Sequence, residues 1–229
     1  MNTLESPQVA HLLRTLHQDA EASDREHVET MMATFDGPGG AAQAVSDILA
    51  QERAGYRAIY SNYADNFLAV SPDFGRFLYA VARAGKVTRI VEFGTSMGIS
   101  TLYLAAALRD NGGGQLIGSE LEPTKVARAR ANLDAAGLAD LVEIRAGDAL
   151  ETLKDVGGDV GLLLVDGAFS LYLPVLKLIE PWLQPGAMIL GENAFEPGYQ
   201  AYIRDPANGY LTLALPDESR GNVFSVKVS

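Results

Sequence analysis

The chain contains no cysteine, one tryptophan and three histidines. Without cysteine there is no disulfide scaffold, zinc ribbon or thiol nucleophile, and a reducing cytoplasmic setting is expected. Long apolar runs are also missing. LYLAAAL and GLLLV are far shorter than the roughly 20 residues of a membrane helix, so no membrane partner is expected. The opening MNTLESPQ shows no basic run leading into an apolar stretch, so no secretory signal is expected. Positive charge is scarce: Lys+Arg 18 against Asp+Glu 29 gives a net charge of -11. Such a surface repels a phosphate backbone, which argues against nucleic acid as a partner. What is present, 229 residues that are 48% hydrophobic and 21% charged, suffices for one full core with an appendage.

Two regions differ in texture. Residues 1–68 carry helical patterns broken at Asp36-Gly37-Pro38-Gly39-Gly40 and read as an N-terminal helical extension, a lid or a dimerisation element. Residues 69–229 alternate short apolar runs with helical periodicity. Ser71-Pro72-Asp73 is a helix start: a capping hydroxyl, proline at the first helical position, then an acid facing the helix dipole. Phe74, Phe77, Leu78 and Val81 follow on one face, and Gly85 ends the helix. Strands are expected at 87–93, 115–120, 141–147, 160–166 and 187–193. Helices are expected at 99–110, from Pro123 to Gly137, near 149–154, from Tyr172 to an interruption at Pro181, and at 198–205. Strands at 210–216 and 223–229 are joined by six residues, too few for a crossover helix, so they must pair antiparallel. The expected fold is α/β: a doubly wound, Rossmann-like, seven-stranded mixed sheet with a C-terminal antiparallel hairpin. Ligands of such sheets bind outside the carboxyl ends of the strands.

The first strand runs into Val91-Glu92-Phe93-Gly94-Thr95-Ser96-Met97-Gly98-Ile99-Ser100. Its glycines are spaced GxxxG, so the GxGxxG dinucleotide fingerprint is absent. Glu92 would repel a pyrophosphate and attract a ligand carrying ammonium and sulfonium charges. Gly94 would let that ligand approach the backbone, and Ser96 and Ser100 can hydrogen-bond an amino-acid moiety. Glu120 ends the second strand, where an acid commonly accepts from ribose hydroxyls. Asp148, with Ala149, follows the third strand and could receive an adenine amino group, or could only cap a helix. An amino-acid end, a ribose and an adenine laid across adjacent strand ends describe S-adenosylmethionine.

VEFGTSMGIS, GSELEPTKVARARANLDAAGL, VEIRAGDALETL, LLLVDGAFSLY and LQPGAMILGEN resemble the class I S-adenosylmethionine-dependent methyltransferases. More narrowly, they are similar to the catechol-type, cation-dependent O-methyltransferases and their small bacterial relatives. The resemblance covers Val70 to the C-terminus. It implies that Glu92, Gly94, Ser96 and Ser100 hold the methionine part, Glu120 the ribose, and Asp148 with Ala149 the adenine edge. In that family an Asp at the place of Asp166 and an Asp-Asn pair on the next strand bind a divalent cation. That cation chelates two substrate oxygens.

Asp166, Glu192 and Asn193 end strands four and five, whose axes as neighbours would lie about 4.8 Å apart. Two carboxylates and an amide are hard oxygen ligands suited to Mg²⁺ or Ca²⁺. The chain departs from the family twice: Glu192 replaces an Asp, and Phe169 stands where the family carries a base Lys. Asp166 is thus expected as a catalytic, metal-binding and cofactor-side residue. Simple helix capping by Asp166 and Asn193 is the alternative. His11, His17 and His27 are expected on the surface. The stripe Tyr56, Tyr60, Tyr63 and Phe67 reads as a helix packing on the sheet, or else as a lid over an aromatic acceptor. The implied reaction is methyl transfer to an oxygen of a small hydroxylated acceptor, aromatic or not. The alternatives are a metal-independent methyltransferase, a non-catalytic S-adenosylmethionine-binding module and, less favoured, a nicotinamide-dependent oxidoreductase. A homodimer is left open.

Overall fold

A computed structural model describes residues 2–215 and 221–228. Its elements, in chain order, are α1 (Pro7–Phe35), α2 (Gly40–Ser61), α3 (Pro72–Ala84), β1 (Arg89–Phe93), α4 (Ile99–Asp110), β2 (Gln115–Glu120) and α5 (Pro123–Ala136). There follow β3 (Val142–Ala146), α6 (Ala149–Thr152), β4 (Val160–Val165), α7 (Tyr172–Ile179), β5 (Leu183–Gly191), α8 (Pro197–Arg204), β6 (Tyr210–Ala214) and β7 (Val223–Lys227).

One seven-stranded sheet has the order β3-β2-β1-β4-β5-β7-β6. The first five strands pair in parallel, and β7 inserts antiparallel between β5 and β6. The reversed strand and the doubly wound order agree with the sequence reading. Residue 216 at the end of the expected strand, residues 217–220 of the expected link, and Ser229 lie outside the described residues. β5 begins earlier than expected, at Leu183, and stops at Gly191, which places Glu192 and Asn193 in the turn beyond it. β4 is buried at every position, as a central strand covered on both faces must be.

The expected start of α3 is present in detail: Ser71 Oγ accepts from the Phe74 amide at 3.2 Å, with Pro72 at the first helical position. Two apolar clusters flank the sheet. One packs α1, α3, α4 and α5 on one face, and the other holds α7, α8 and the inner side of β4 and β5. α1 contributes Val9, Leu13, Leu16 and Ala20 to the first cluster, so the N-terminal segment shares the core of the sheet domain. Among the described residues, no helix is long and apolar enough to cross a membrane.

The buried stripe of α1 continues one turn further to Asp24. Its carboxylate accepts from the backbone amides of Phe67 and Leu68, at 2.8 and 2.7 Å, and from the Asn66 side chain. Leu68 has φ +48, a left-handed conformation that costs a branched side chain free energy unless its surroundings impose it. Asp24 is what imposes it. Asp24→Ala would leave two strap amides unpaired, and we expect a stability loss of about 2–4 kcal/mol. Denaturant unfolding checks this; a loss below about 1 kcal/mol would mean that water replaces the carboxylate.

Candidate functional site

A narrow cleft opens where β1 ends, lined by the strap 67–70, the turn 94–97, Ser100 and Asp166. The strap lies there because Asp24 holds its backbone and because Ser96 Oγ donates to the Phe67 carbonyl at 2.5 Å. None of residues 68–70 was among the expected site residues. The legible signal was the run FLAV immediately before the Ser71 cap, a stretch with no helical period.

Glu92 lies fully buried beneath this cleft. Its carboxylate accepts from Thr95 Oγ1 at 3.0 Å, Ser100 Oγ at 2.7 Å and Thr101 Oγ1 at 2.6 Å. Burial pushes its pKa up, and the three hydroxyls oppose that shift. Glu92 is therefore a buried acceptor under the floor of the cleft, where its field acts through a layer of hydroxyls. Ser96 and Ser100 donate their hydroxyl protons to Phe67 and Glu92; Ser96 Oγ also accepts from Lys125, which leaves it one lone pair, while the Ser100 oxygen keeps both.

Gly94 has a different reason to be glycine than ligand access. It sits at φ +95, and a Cβ there would lie 1.8 Å from the Asp166 carbonyl oxygen. The β1 turn and the end of β4 touch backbone to backbone, which fixes Asp166 against the cleft.

Glu120 ends β2 and is committed to local amides: Oε2 accepts from Ser96 N at 2.7 Å and Oε1 from Glu122 N at 2.8 Å. Glu122 caps α5, accepting from Thr124 N. Lys125 on α5, nearly buried, reaches Ser96 Oγ at 3.3 Å, which brings a cation to a turn whose own sequence has none. Burial lowers its pKa. Asp148 caps α6 through Leu150 N and also accepts from Tyr56 OH at 2.5 Å and Arg57 Nη2 at 2.5 Å. Burial works to raise its pKa, but these donors bring the net value below the usual carboxylate range. Ala149 is buried beside it.

Asp166 lies close enough to Glu192 to feel its charge, and Asn193 bonds Glu192. Burial drives the Asp166 pKa well up, with Glu192 and then Glu92 adding like-charge repulsion. The Asn193 side-chain amide donates to Glu192, and Asn193 itself is left-handed at φ +49, held by its amide bond to Asn222 Oδ1 at 2.8 Å. Among the described residues, no three His, Cys, Asp or Glu side chains gather to hold a metal ion, so a cation here would depend on the Asn193 amide.

The aromatic stripe packs at the strand ends. α2 lies across them, with Tyr56 and Arg57 at Asp148, Arg53 3.4 Å from Glu196, and Glu52 at the turn after β4. Phe169, Phe195, Phe35 and Tyr172 form a chain of tilted and edge-to-face rings, and Tyr172 lies close enough to Asp166 and Glu192 to feel their charge. Of the histidines, His11 is exposed, while His17 meets Tyr103 and His27 stacks edge-on against Tyr63.

This sheet order and a cleft at its first turn define a doubly wound α/β ligand-binding domain with a reversed strand near its edge. A family model described as a methyltransferase domain matches residues 91–194. A catechol O-methyltransferase of Niastella koreensis is 31% identical over 67% of this chain and 72% of its own length. One from Mycobacterium tuberculosis is 33% identical over 57% of the chain and 59% of its own length. Among solved structures, an O-methyltransferase from Bacillus cereus in complex with SAH superposes with a TM-score of 0.64. It is 22% identical, with 80% of this chain and 91% of that chain covered, which speaks to the fold alone. The chain belongs to the class I S-adenosylmethionine-dependent O-methyltransferases, in the family of the catechol O-methyltransferases.

Proposed function

We propose that the chain moves the sulfonium methyl of S-adenosylmethionine to a hydroxyl of a small aromatic acceptor held between the ring cluster and Asp166. The observation that carries this reading is the juxtaposition of Phe169 and its neighbouring rings with the buried carboxylates of Asp166 and Glu192. An apolar wall would position the ring, and the acidic floor would receive its polar edge. The cleft at the β1 turn would take the methionine part of the cofactor, with Ser96 and Ser100 accepting from its ammonium. Glu120 would take the ribose. Asp148 and Ala149 would border the adenine once Tyr56 and Arg57 yield the carboxylate.

Asp166, Glu192 and Asn193 fit a hard divalent cation. Burial first, and then the charges of Glu192 and Glu92, raise the Asp166 pKa, and a dication would relieve the like-charge repulsion with oxygen ligands of the right kind. When bound, it would supply Lewis-acid polarisation of an acceptor oxygen. The work left to the chain is alignment of acceptor oxygen and methyl group in a site closed to water, because the sulfonium already activates the methyl.

The test uses labelled S-adenosylmethionine with a panel of hydroxylated arenes, with Mg²⁺ or with EDTA. Turnover on at least one arene is expected, with a loss of about tenfold or more in EDTA. Full activity in EDTA would remove the cation, and transfer only to non-aromatic acceptors would remove the substrate class. Glu92→Gln is expected to weaken cofactor binding about tenfold or more, since the field under the cleft loses its negative charge. Unchanged affinity by calorimetry would refute that role.

A further inference from the structure

Glu52 is the second buried carboxylate that the N-terminal helices carry into the domain, and nothing above uses it. It is 3% exposed on an otherwise largely solvent-facing stretch of α2. Its oxygens accept from Phe169 N at 3.2 Å, Ser170 N at 2.6 Å and Tyr60 OH at 2.9 Å. No Lys or Arg is within ion-pair distance of it among the described residues. Tyr60 OH and the amide of Phe169 share the same carboxylate oxygen, which puts the phenol at the turn that leaves Asp166. The Ser170 hydroxyl, buried at the same turn, has no hydrogen-bond partner among the described residues.

We propose that Tyr60 and Glu52 form a proton relay for the acceptor hydroxyl, with Tyr60 touching the acceptor and Glu52 receiving the proton. The inference rests on the O-methyl transfer proposed above. As the acceptor oxygen bonds to the methyl carbon, the carbon–sulfur bond breaks and its electron pair passes to sulfur, which becomes a neutral thioether. The acceptor hydroxyl proton goes to Tyr60 Oη while the Tyr60 proton goes to Glu52. The products are the methyl ether, S-adenosylhomocysteine and a protonated Glu52.

Two features suit these roles. Burial, followed by the charges of Glu52 and Asp166, pushes the Tyr60 pKa well up, so a lasting phenolate is disfavoured and the phenol passes a proton on without keeping the charge. Phe169 has no group that could take the proton, yet its backbone amide is what anchors the carboxylate. Local chemistry thus turns a hydrocarbon position into the attachment point for a base from another helix.

Glu52→Gln keeps an oxygen acceptor for one of the two backbone amides and removes basicity, and Tyr60→Phe removes only the hydroxyl. Both, and the double variant, are assayed with a weakly acidic phenolic acceptor and with a nitrophenol already ionised at the assay pH. Binding of S-adenosylhomocysteine is measured by calorimetry. With the weak acid, kcat should fall about 100-fold in each single variant and no further in the double, with cofactor-product affinity within about twofold. With the ionised acceptor, the deficit should shrink to within about threefold, because no proton remains to be removed.

Equal deficits on both acceptors, or single effects that multiply in the double variant, would show that Glu52 and Tyr60 only hold α2 in place and would overturn the relay. Near-wild-type kcat with the weak acid would overturn it too. A wild type inert on every arene, while binding the cofactor product, would overturn the transferase assignment and the relay with it.

Discussion

Asp166→Asn is expected to abolish turnover and, at neutral pH without ligands, to make the protein more stable. Asp166 is a carboxyl whose folded-state pKa lies well above its ordinary value, through burial first and then the charges of Glu192 and Glu92. The folded chain therefore binds this proton more tightly than the unfolded chain does. The resulting stability is fully present below the unfolded pKa near 4 and is lost as pH rises through the raised folded value. Asparagine has no such proton to lose. Removing a poorly compensated buried charge is worth about 1–3 kcal/mol. Denaturant unfolding between pH 4 and 8 should show the wild type falling while Asp166→Asn stays flatter, the curves diverging toward neutral pH. Parallel curves, or a variant less stable at pH 7, would mean that the carboxylate is compensated by contacts that asparagine cannot make. Turnover should drop about 100-fold or more, since the carboxylate proposed to face both cofactor and acceptor is neutralised.

Gly94→Ala is expected to be among the most damaging small substitutions in the chain. Two costs combine. The left-handed backbone at φ +95 penalises any Cβ by about 1–2 kcal/mol. The added methyl would also meet the Asp166 carbonyl oxygen at 1.8 Å and its carbonyl carbon at 2.5 Å, neither of which is the mobile tip of a side chain. Forcing that contact apart costs about 1–3 kcal/mol more. For a chain of this size, the melting temperature should fall by about 10 °C. Gly112→Ala is the control: its φ is +99, but nothing lies within 4 Å of the added atom, so only the backbone cost applies. If both variants lose the same stability, the close approach of β1 and β4 is not what requires glycine. Cofactor affinity should also fall about tenfold or more in Gly94→Ala alone, because pushing Asp166 away reshapes the cleft.

The order of strands and helices was readable because each element carries its own period. β4 is solidly apolar over six residues, and α3 announces itself with a hydroxyl, a proline and an acid. The acidic strand ends were readable for the same reason: position along a βα unit fixes which residues face the ligand edge. The role of Gly94 was only half legible, since GxxxG marks a tight turn but does not say that the neighbour is the backbone of a residue 72 positions later. Asp24 and Glu52 left a fainter trace. Each is a carboxylate set on a buried helical stripe, after Val9, Leu13, Leu16 and Ala20 in one case and after Leu49 in the other. A charge on such a stripe needs partners, but the partners are strap and turn amides far along the chain.

What the sequence determined by itself was the alternation of βα units, the reversal forced by a short final link, and the supply of carboxylates at the strand ends. Those are local matters, settled by periodicity, chain length and turn chemistry. Only the tertiary structure decided how those carboxylates are occupied: Glu92 by three hydroxyls, Glu120 by two amides, Asp148 by α2, and Asp166 by burial beside other carboxylates. A carboxylate's chemistry depends on what donates to it and how far water is excluded, and both are set by residues that meet only when the N-terminal helices close over the sheet.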